Sequence, residues 1–189
     1  MNAKTVPIML AAALVCSLSA CGNTNTNLVT SDSPTANVVS TPSPTPSNTA
    51  LSVGSATTLG DWSITVSSIE FSPQIDSGDG FTVFNPDAGN QFLIVHSTVQ
   101  NNGKQAASFL PSIGSNADVG AIVCYNKDYK YQPTNLLGYD NNLCDFNANP
   151  LTSKEGVIAF EVPEAVVNGS ESLAIEFTQG TKSAVFVLR

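Results

Sequence analysis

Few residues in this chain have the type and spacing for covalent or coordination chemistry, and each set implies a different kind. Leu18-Ser19-Ala20-Cys21 has the form of a bacterial lipobox. In such a segment the cysteine thiol is alkylated with a diacylglycerol, the preceding residues are cut away, and Cys21 becomes a lipidated first residue. The competing reading is an ordinary secretory signal cleaved near the same place, which leaves Cys21 a spare thiol; both imply export. With Cys16 leaving in the signal, Cys124 and Cys144 remain, and an even pair in an exported chain predicts a disulfide. In the chain-entropy picture its loop of about 20 residues would add roughly 3 kcal/mol of stability. Two thiols and one histidine cannot supply the usual four zinc ligands.

His96 is the single histidine, so any Ser-His or Cys-His nucleophile arrangement would have to run through it. No G-x-S-x-G elbow, H-E-x-x-H helix or G-x-x-x-x-G-K loop accompanies it, and a histidine packed on or beside a sheet face is the expected role. Asp76, Asp79 and Asp87 share one loop, and Asp140, Asn141, Asn142 and Asp145 share another. Oxygen ligands gathered in loops can hold Ca²⁺, but neither set follows the calcium-loop register, and solvated loop acids are the expected state; no metal or other cofactor is assigned. All four tyrosines lie between residues 125 and 139. On a single strand through Val119–Tyr131, Tyr125, Tyr129 and Tyr131 would share a face with Lys127, and Cys124, Asn126, Asp128 and Lys130 the other. They are read either as half-buried sheet residues or, with Tyr139 and Asp140, as a recognition surface on a loop pinned by the disulfide.

The elements that must position these residues follow from composition and pattern. The 189 residues carry 7 Lys and Arg against 15 Asp and Glu. A mature chain without Lys4 therefore has a net charge of about −9, which argues against nucleic acid and anionic headgroups as direct ligands. The apolar run from Val6 to Ala20 is the length of a signal-peptide core and shorter than the roughly 20 residues of a membrane span. Residues 1–20 are thus read as a signal peptide, 21–50 as a linker and 51–189 as one domain. The linker is mostly Asn, Thr, Ser and Pro, cannot bury a core, and as flexible coil would reach on the order of 30 Å.

Beyond Ala50 the pattern is of short β-prone runs broken by turn residues, which predicts an all-β domain. Leu51–Leu59 forms a weak first strand. Trp62, Ile64 and Val66 alternate with polar residues, then the apolar phase flips to Ile69 and Phe71, which calls for a bulge. Residues 72–90 read as a loop with a short hairpin near Phe81–Phe84. Gln91–Asn101 is the clearest strand, and its Phe92-Leu93-Ile94-Val95 run is apolar on both faces, as at the centre of a sandwich. Ala107–Ile113, Val119–Tyr131, Gly156–Val162, Leu173–Phe177 and Ala184–Leu188 complete about eight or nine strands of a β-sandwich.

The strand and turn Gln91-Phe92-Leu93-Ile94-Val95-His96-Ser97-Thr98-Val99-Gln100-Asn101-Asn102-Gly103-Lys104 resembles the centre of the telokin-like, immunoglobulin-like bacterial domain of unknown function 4352. Val53-Gly54 with Gly60-Asp61-Trp62-Ser63-Ile64-Thr65-Val66 is similar to that family's opening. Lys130-Tyr131 and Gly156-Val157-Ile158-Ala159-Phe160-Glu161-Val162-Pro163 are similar to two later strands. The resemblance spans residues 51–189 and implies an immunoglobulin-like sandwich of about eight or nine strands, commonly borne behind a lipoprotein signal and low-complexity linker, with no established catalytic residues. The chain departs from the family pattern at Asn147–Thr152 and in carrying Cys124 and Cys144.

The expectation is therefore a non-catalytic binding or accessory module on the extracytoplasmic face of a cell membrane. Cys21 is its lipid anchor, and its partner is an envelope protein or wall polymer. A protease inhibitor or host-facing immunomodulatory protein is the alternative within non-enzymes, and an envelope hydrolase the alternative outside them.

Overall fold

The structure, a computed structural model, describes residues 49–112, 116–117 and 119–189; the signal segment, Cys21 and the linker up to residue 48 lie outside the described residues. Fourteen strands are present among the described residues, with one α-helical turn and one 3₁₀ turn. They are β1 (Leu51–Ser52), β2 (Ala56–Leu59), β3 (Trp62–Ser72), β4 (Ile75–Asp76), β5 (Val83–Phe84), β6 (Asn90–Asn101) and β7 (Ala107–Ser108). After these come β8 (Gly120–Tyr125), β9 (Tyr129–Tyr131), β10 (Pro133–Thr134), the 3₁₀ turn Leu143–Asp145, β11 (Asn147–Ala148), β12 (Ser153–Pro163), α1 (Glu164–Val167), β13 (Leu173–Gln179) and β14 (Lys182–Val187).

Two five-stranded sheets face each other in an immunoglobulin-like sandwich. The first runs β1-β14-β13-β8-β9 and the second β10-β12-β6-β3-β2. The chain changes sheets between β9 and β10, so one continuous edge segment closes that side of the sandwich. Alternation decides which side chains go inside. Ile158, Phe160 and Val162 of β12, Leu93 and Val95 of β6, and Ile175 and Phe177 of β13 meet in the main core, where Trp62 is only 1% exposed. An aromatic chain crosses this core, with ring centroids 5.0 Å apart for Trp62 and Phe109 and 6.0 Å apart for both Phe109–Phe177 and Phe177–Phe186.

The expected bulge is present: pairing of β3 with β6 shifts register between Val66 and Ser68. The shift keeps Ile69 and Phe71 packed on the core after Trp62, Ile64 and Val66 and turns Ser68 and Glu70 outward. The two-faced apolar run on β6 has the expected cause as well. Leu93 and Val95 enter the main core, while Phe92 and Ile94 join a second cluster on the outer face with Ile75, Leu136, Val157 and Ala159. The β4–β5 hairpin and the segment after β10 provide the cover.

Three expected strands differ. Leu51–Leu59 is not one strand: the chain breaks after Ser52, with β1 joining the first sheet and β2 the second. Val119–Tyr131 is a hairpin, because Asn126 and Lys127 take left-handed backbone angles, φ +49° and +65°, and reverse the chain. That is turn chemistry without the glycine that usually announces it. Ala107–Ile113 pairs as a strand only at Ala107–Ser108, opposite β11, after which Phe109 and Leu110 leave the ladder to fill the core; Ile113 lies outside the described residues.

Candidate functional site

The long connection from β10 to β12 shapes a concavity on the outer face of the second sheet, and its course is set by Gly156 and Asn142. Any side chain at Gly156 would run into the Asn141 carbonyl and Leu143, since a Cβ there would sit 2.4 Å from the carbonyl oxygen. The bare glycine lets the connection lie against β12, where the Val157 amide donates to the Asn141 carbonyl at 2.8 Å. Asn142 is wholly buried; its Oδ1 accepts from the Cys144 amide at 3.1 Å, and its Nδ2 donates to Asn135 Oδ1 at 3.2 Å and to the Leu136 carbonyl at 3.3 Å. Lys154 reaches across to donate from Nζ to the Asp140 carbonyl at 2.6 Å. These bonds hold Tyr139 over the outer face of the second sheet, its ring 6.3 Å from that of Phe84.

At the margin of this cover lie two adjoining depressions of about 180 and 340 Å³. They share His96, Tyr139 and Val157. Glu70 and Asp76 line the smaller and Glu155 the larger; neither is lined by a lysine or arginine. Ile94 and Val157 also border the smaller one but are only 6% exposed, and His96 Nε2 is 3.3 Å from Glu70 Oε1 with its side chain 37% exposed. Sequence reasoning picked out His96, Tyr139 and Asp76 but missed Glu70 and Glu155. For Glu70 the signal was present, because the phase flip that predicts the bulge also turns it outward. Glu155 shares the outer side of β12 with Val157, from which the alternation could have placed it.

The other tyrosines are elsewhere. Tyr125 and Tyr129 face each other across the β8–β9 hairpin with rings 6.2 Å apart, and Tyr131 pairs with Val123. The three share a side, as expected, but through hairpin pairing and not along one strand, and Tyr125 and Tyr131 pack against the core. Burial, followed by the neighbouring Tyr129 and Tyr125, raises the Tyr131 hydroxyl above its ordinary pKa. Arg189 lies over the Tyr125 ring and donates to the Val166 carbonyl at 2.8 Å, closing this end of the sandwich. Tyr125, Tyr129 and Tyr131 are thus separated from Tyr139 and Asp140, which belong to the second sheet's outer face.

The expected Cys124–Cys144 disulfide is not formed; both are free thiols. β8 turns Ala121 and Val123 into the core, so alternation sends Cys124 to the outer face beside Lys130, whereas Cys144 is buried within the core. The first sheet stands between them. Burial, with Asp145 adding to it, lifts the Cys144 thiol to about 11, and burial also raises Cys124. Iodoacetamide should therefore label Cys124 well before Cys144 in the folded protein, and dithiothreitol should leave the melting midpoint unchanged; a reducible cross-link on a non-reducing gel would contradict this. The folded-state value of Cys144 exceeds the ordinary 9.0. The stability it contributes is complete below that value and lost as pH rises through about 11.

The acidic loops are internally occupied. Asp79 Oδ1 accepts from the Phe81 and Thr82 amides, both at 2.7 Å, and Oδ2 from the Thr82 hydroxyl at 2.8 Å. With the Ser77 hydroxyl the largest contributor, these bonds hold the Asp79 carboxyl far below the ordinary carboxylate range. The same loop projects Phe81, 95% exposed. In the other loop Asp145 accepts from Ser112 and Asn142. Among the described residues no group of three or more His, Cys, Asp or Glu could hold a metal ion, and no helix is long and apolar enough to cross a membrane.

Comparison with known proteins agrees with this architecture. The chain is similar to an uncharacterized β-sandwich protein from Clostridium difficile 630, with a TM-score of 0.55, 19% identity, and 78% of this chain and 99% of that one covered. It is also similar to a conserved hypothetical protein from Bacillus anthracis, with a TM-score of 0.50, 10% identity, and 74% and 95% covered. At these identities the likeness establishes the fold alone. No curated protein sequence matches. Residues 51–184 match the family described as Domain of unknown function (DUF4352), and with most of its length inside that match the chain belongs to this family.

Proposed function

We propose that the chain is a lipid-anchored, extracytoplasmic binding or accessory module of the bacterial cell envelope, working without catalysis. The observation that carries this reading is Leu18-Ser19-Ala20-Cys21 followed by some 29 residues of Asn-, Thr-, Ser- and Pro-rich chain before the first strand. A diacylglycerol on Cys21 supplies two acyl chains at one residue, which is what stable anchoring requires. The acidic domain has a net charge of the wrong sign to hold anionic lipid by itself, so attachment rests on Cys21. The site fits binding better than turnover, since the partner of His96 is a carboxylate and not a hydroxyl or thiol it could activate.

In cells, Cys21→Ser should shift the protein from the membrane fraction to the medium as a folded sandwich, and globomycin should block processing of the unsubstituted chain. Retention of the Cys21→Ser protein on the membrane would overturn the lipid-anchor reading.

A further inference from the structure

The groove between the second sheet's outer face and Tyr139 has a composition that selects one class of occupant. Its lining combines the half-buried ring of Tyr139 with the carboxylates of Glu70, Asp76 and Glu155, above Ile94 and Val157, which are themselves nearly buried. Among the described residues, the only basic group lining it is His96, already beside Glu70. Two depressions that share His96, Tyr139 and Val157 adjoin into one open groove and not a closed pocket. Its size exceeds what a single ion needs. The carboxylates repel anionic lipid and nucleic acid.

We infer that this groove is a docking site for a basic, extended segment of a partner protein. Lysine and arginine fit the surface because each joins a methylene stem to a cationic head. The stems lie along the Tyr139 ring, and the heads meet Glu70, Asp76 and Glu155. Tyr139 adds a ring face over which a cation is attracted. Tyr139 is already held by its packing on Phe84 and by the bonded loop beneath it, so little side-chain entropy is lost when the groove fills. The inference deepens the reading of the chain as a binding module by naming the surface and the partner's chemistry.

Hexalysine is the probe, with hexaglutamate as its control, titrated calorimetrically into the purified chain in neutral detergent at about 50 mM salt, where screening is modest. Hexalysine should bind saturably at one site, and the His96 and Tyr139 ring resonances should shift. The triple variant Glu70→Gln, Asp76→Asn, Glu155→Gln should lose about tenfold or more in affinity. A charge-matched variant distant from the groove, Asp128→Asn, Glu171→Gln, Glu176→Gln, should stay within about twofold. Tyr139→Ala should lower affinity about fivefold, as expected for a cation–π contact. Equal loss in both triple variants, or no saturable binding by the unsubstituted chain, overturns the inference. If binding fails while Cys21 still anchors the chain, only the groove assignment falls; if the groove binds but Cys21→Ser stays on the membrane, only the anchoring reading falls.

Discussion

Trp62→Ala should cost the domain about 4 kcal/mol, a large part of the 5–15 kcal/mol typical of a folded domain, and lower its melting midpoint by roughly 12 °C. The size follows from position. Trp62 starts β3, is 1% exposed, and packs its ring at a tilt against Phe109 with centroids 5.0 Å apart, and Phe109 in turn meets Phe177, which meets Phe186. Removing the indole leaves a void that rigid strands on both sides cannot collapse to fill, so the lost transfer energy is joined by a cavity cost. Trp62→Phe keeps most of the volume and should cost less than half as much. Because Trp62 is the single tryptophan, the measurement is urea unfolding followed by circular dichroism and not by fluorescence. A loss below about 1 kcal/mol for Trp62→Ala would mean that Phe109 and its neighbours repack into the space.

Asn101→Ala should cost about 3 kcal/mol, while Asn102→Ala next to it should cost only a few tenths. Asn101 lies opposite Trp62 at the end of β6 and is 1% exposed. Its Nδ2 donates to the Gln105 carbonyl at 2.8 Å and the Ala148 carbonyl at 3.0 Å, and its Oδ1 accepts from the Gly103 amide at 2.8 Å. Its own amide donates to the Thr152 carbonyl at 3.0 Å, and its carbonyl accepts from the Leu151 amide at 2.7 Å. One side chain therefore satisfies three backbone groups, two in the turn after β6 and one at the end of β11, and alanine leaves all three without it. The Asn102 side chain makes a single exposed bond to the Ser63 hydroxyl. Equal midpoints for the two variants in urea would show that water replaces the Asn101 amide and that the turns do not depend on it.

What the sequence disclosed was local or periodic. The phase flip in Trp62–Phe71 could be read as a bulge because side chains alternate with a fixed period of two, and a change of phase has few other causes. The two-sided apolar run at Phe92–Val95 announced cover on both faces of β6. What covered the outer face was not legible, since Ile75, Phe84, Leu136 and Tyr139 come from segments far apart in the chain that pattern alone does not bring together. The groove exists only where that cover stops. The β8–β9 reversal was missed because Asn126 and Lys127 adopt left-handed angles without a glycine. The disulfide expectation rested on counting cysteines, and a count carries no information about which side of a sheet each one faces.

β1 gives the fold a mechanical character. The chain enters the sandwich at Leu51, running parallel to β14, with Leu51 opposite Phe186 and Ser52 opposite Val187. A pull applied between the start of β1 and the end of β14 would load this parallel pair in shear, its bonds strained together instead of peeled one at a time. The pairing is two residues long, far shorter than the eleven-residue β3 and the twelve-residue β6. Loss of this short pairing would leave the second sheet, β10-β12-β6-β3-β2, and the groove on its outer face with their own ladders intact.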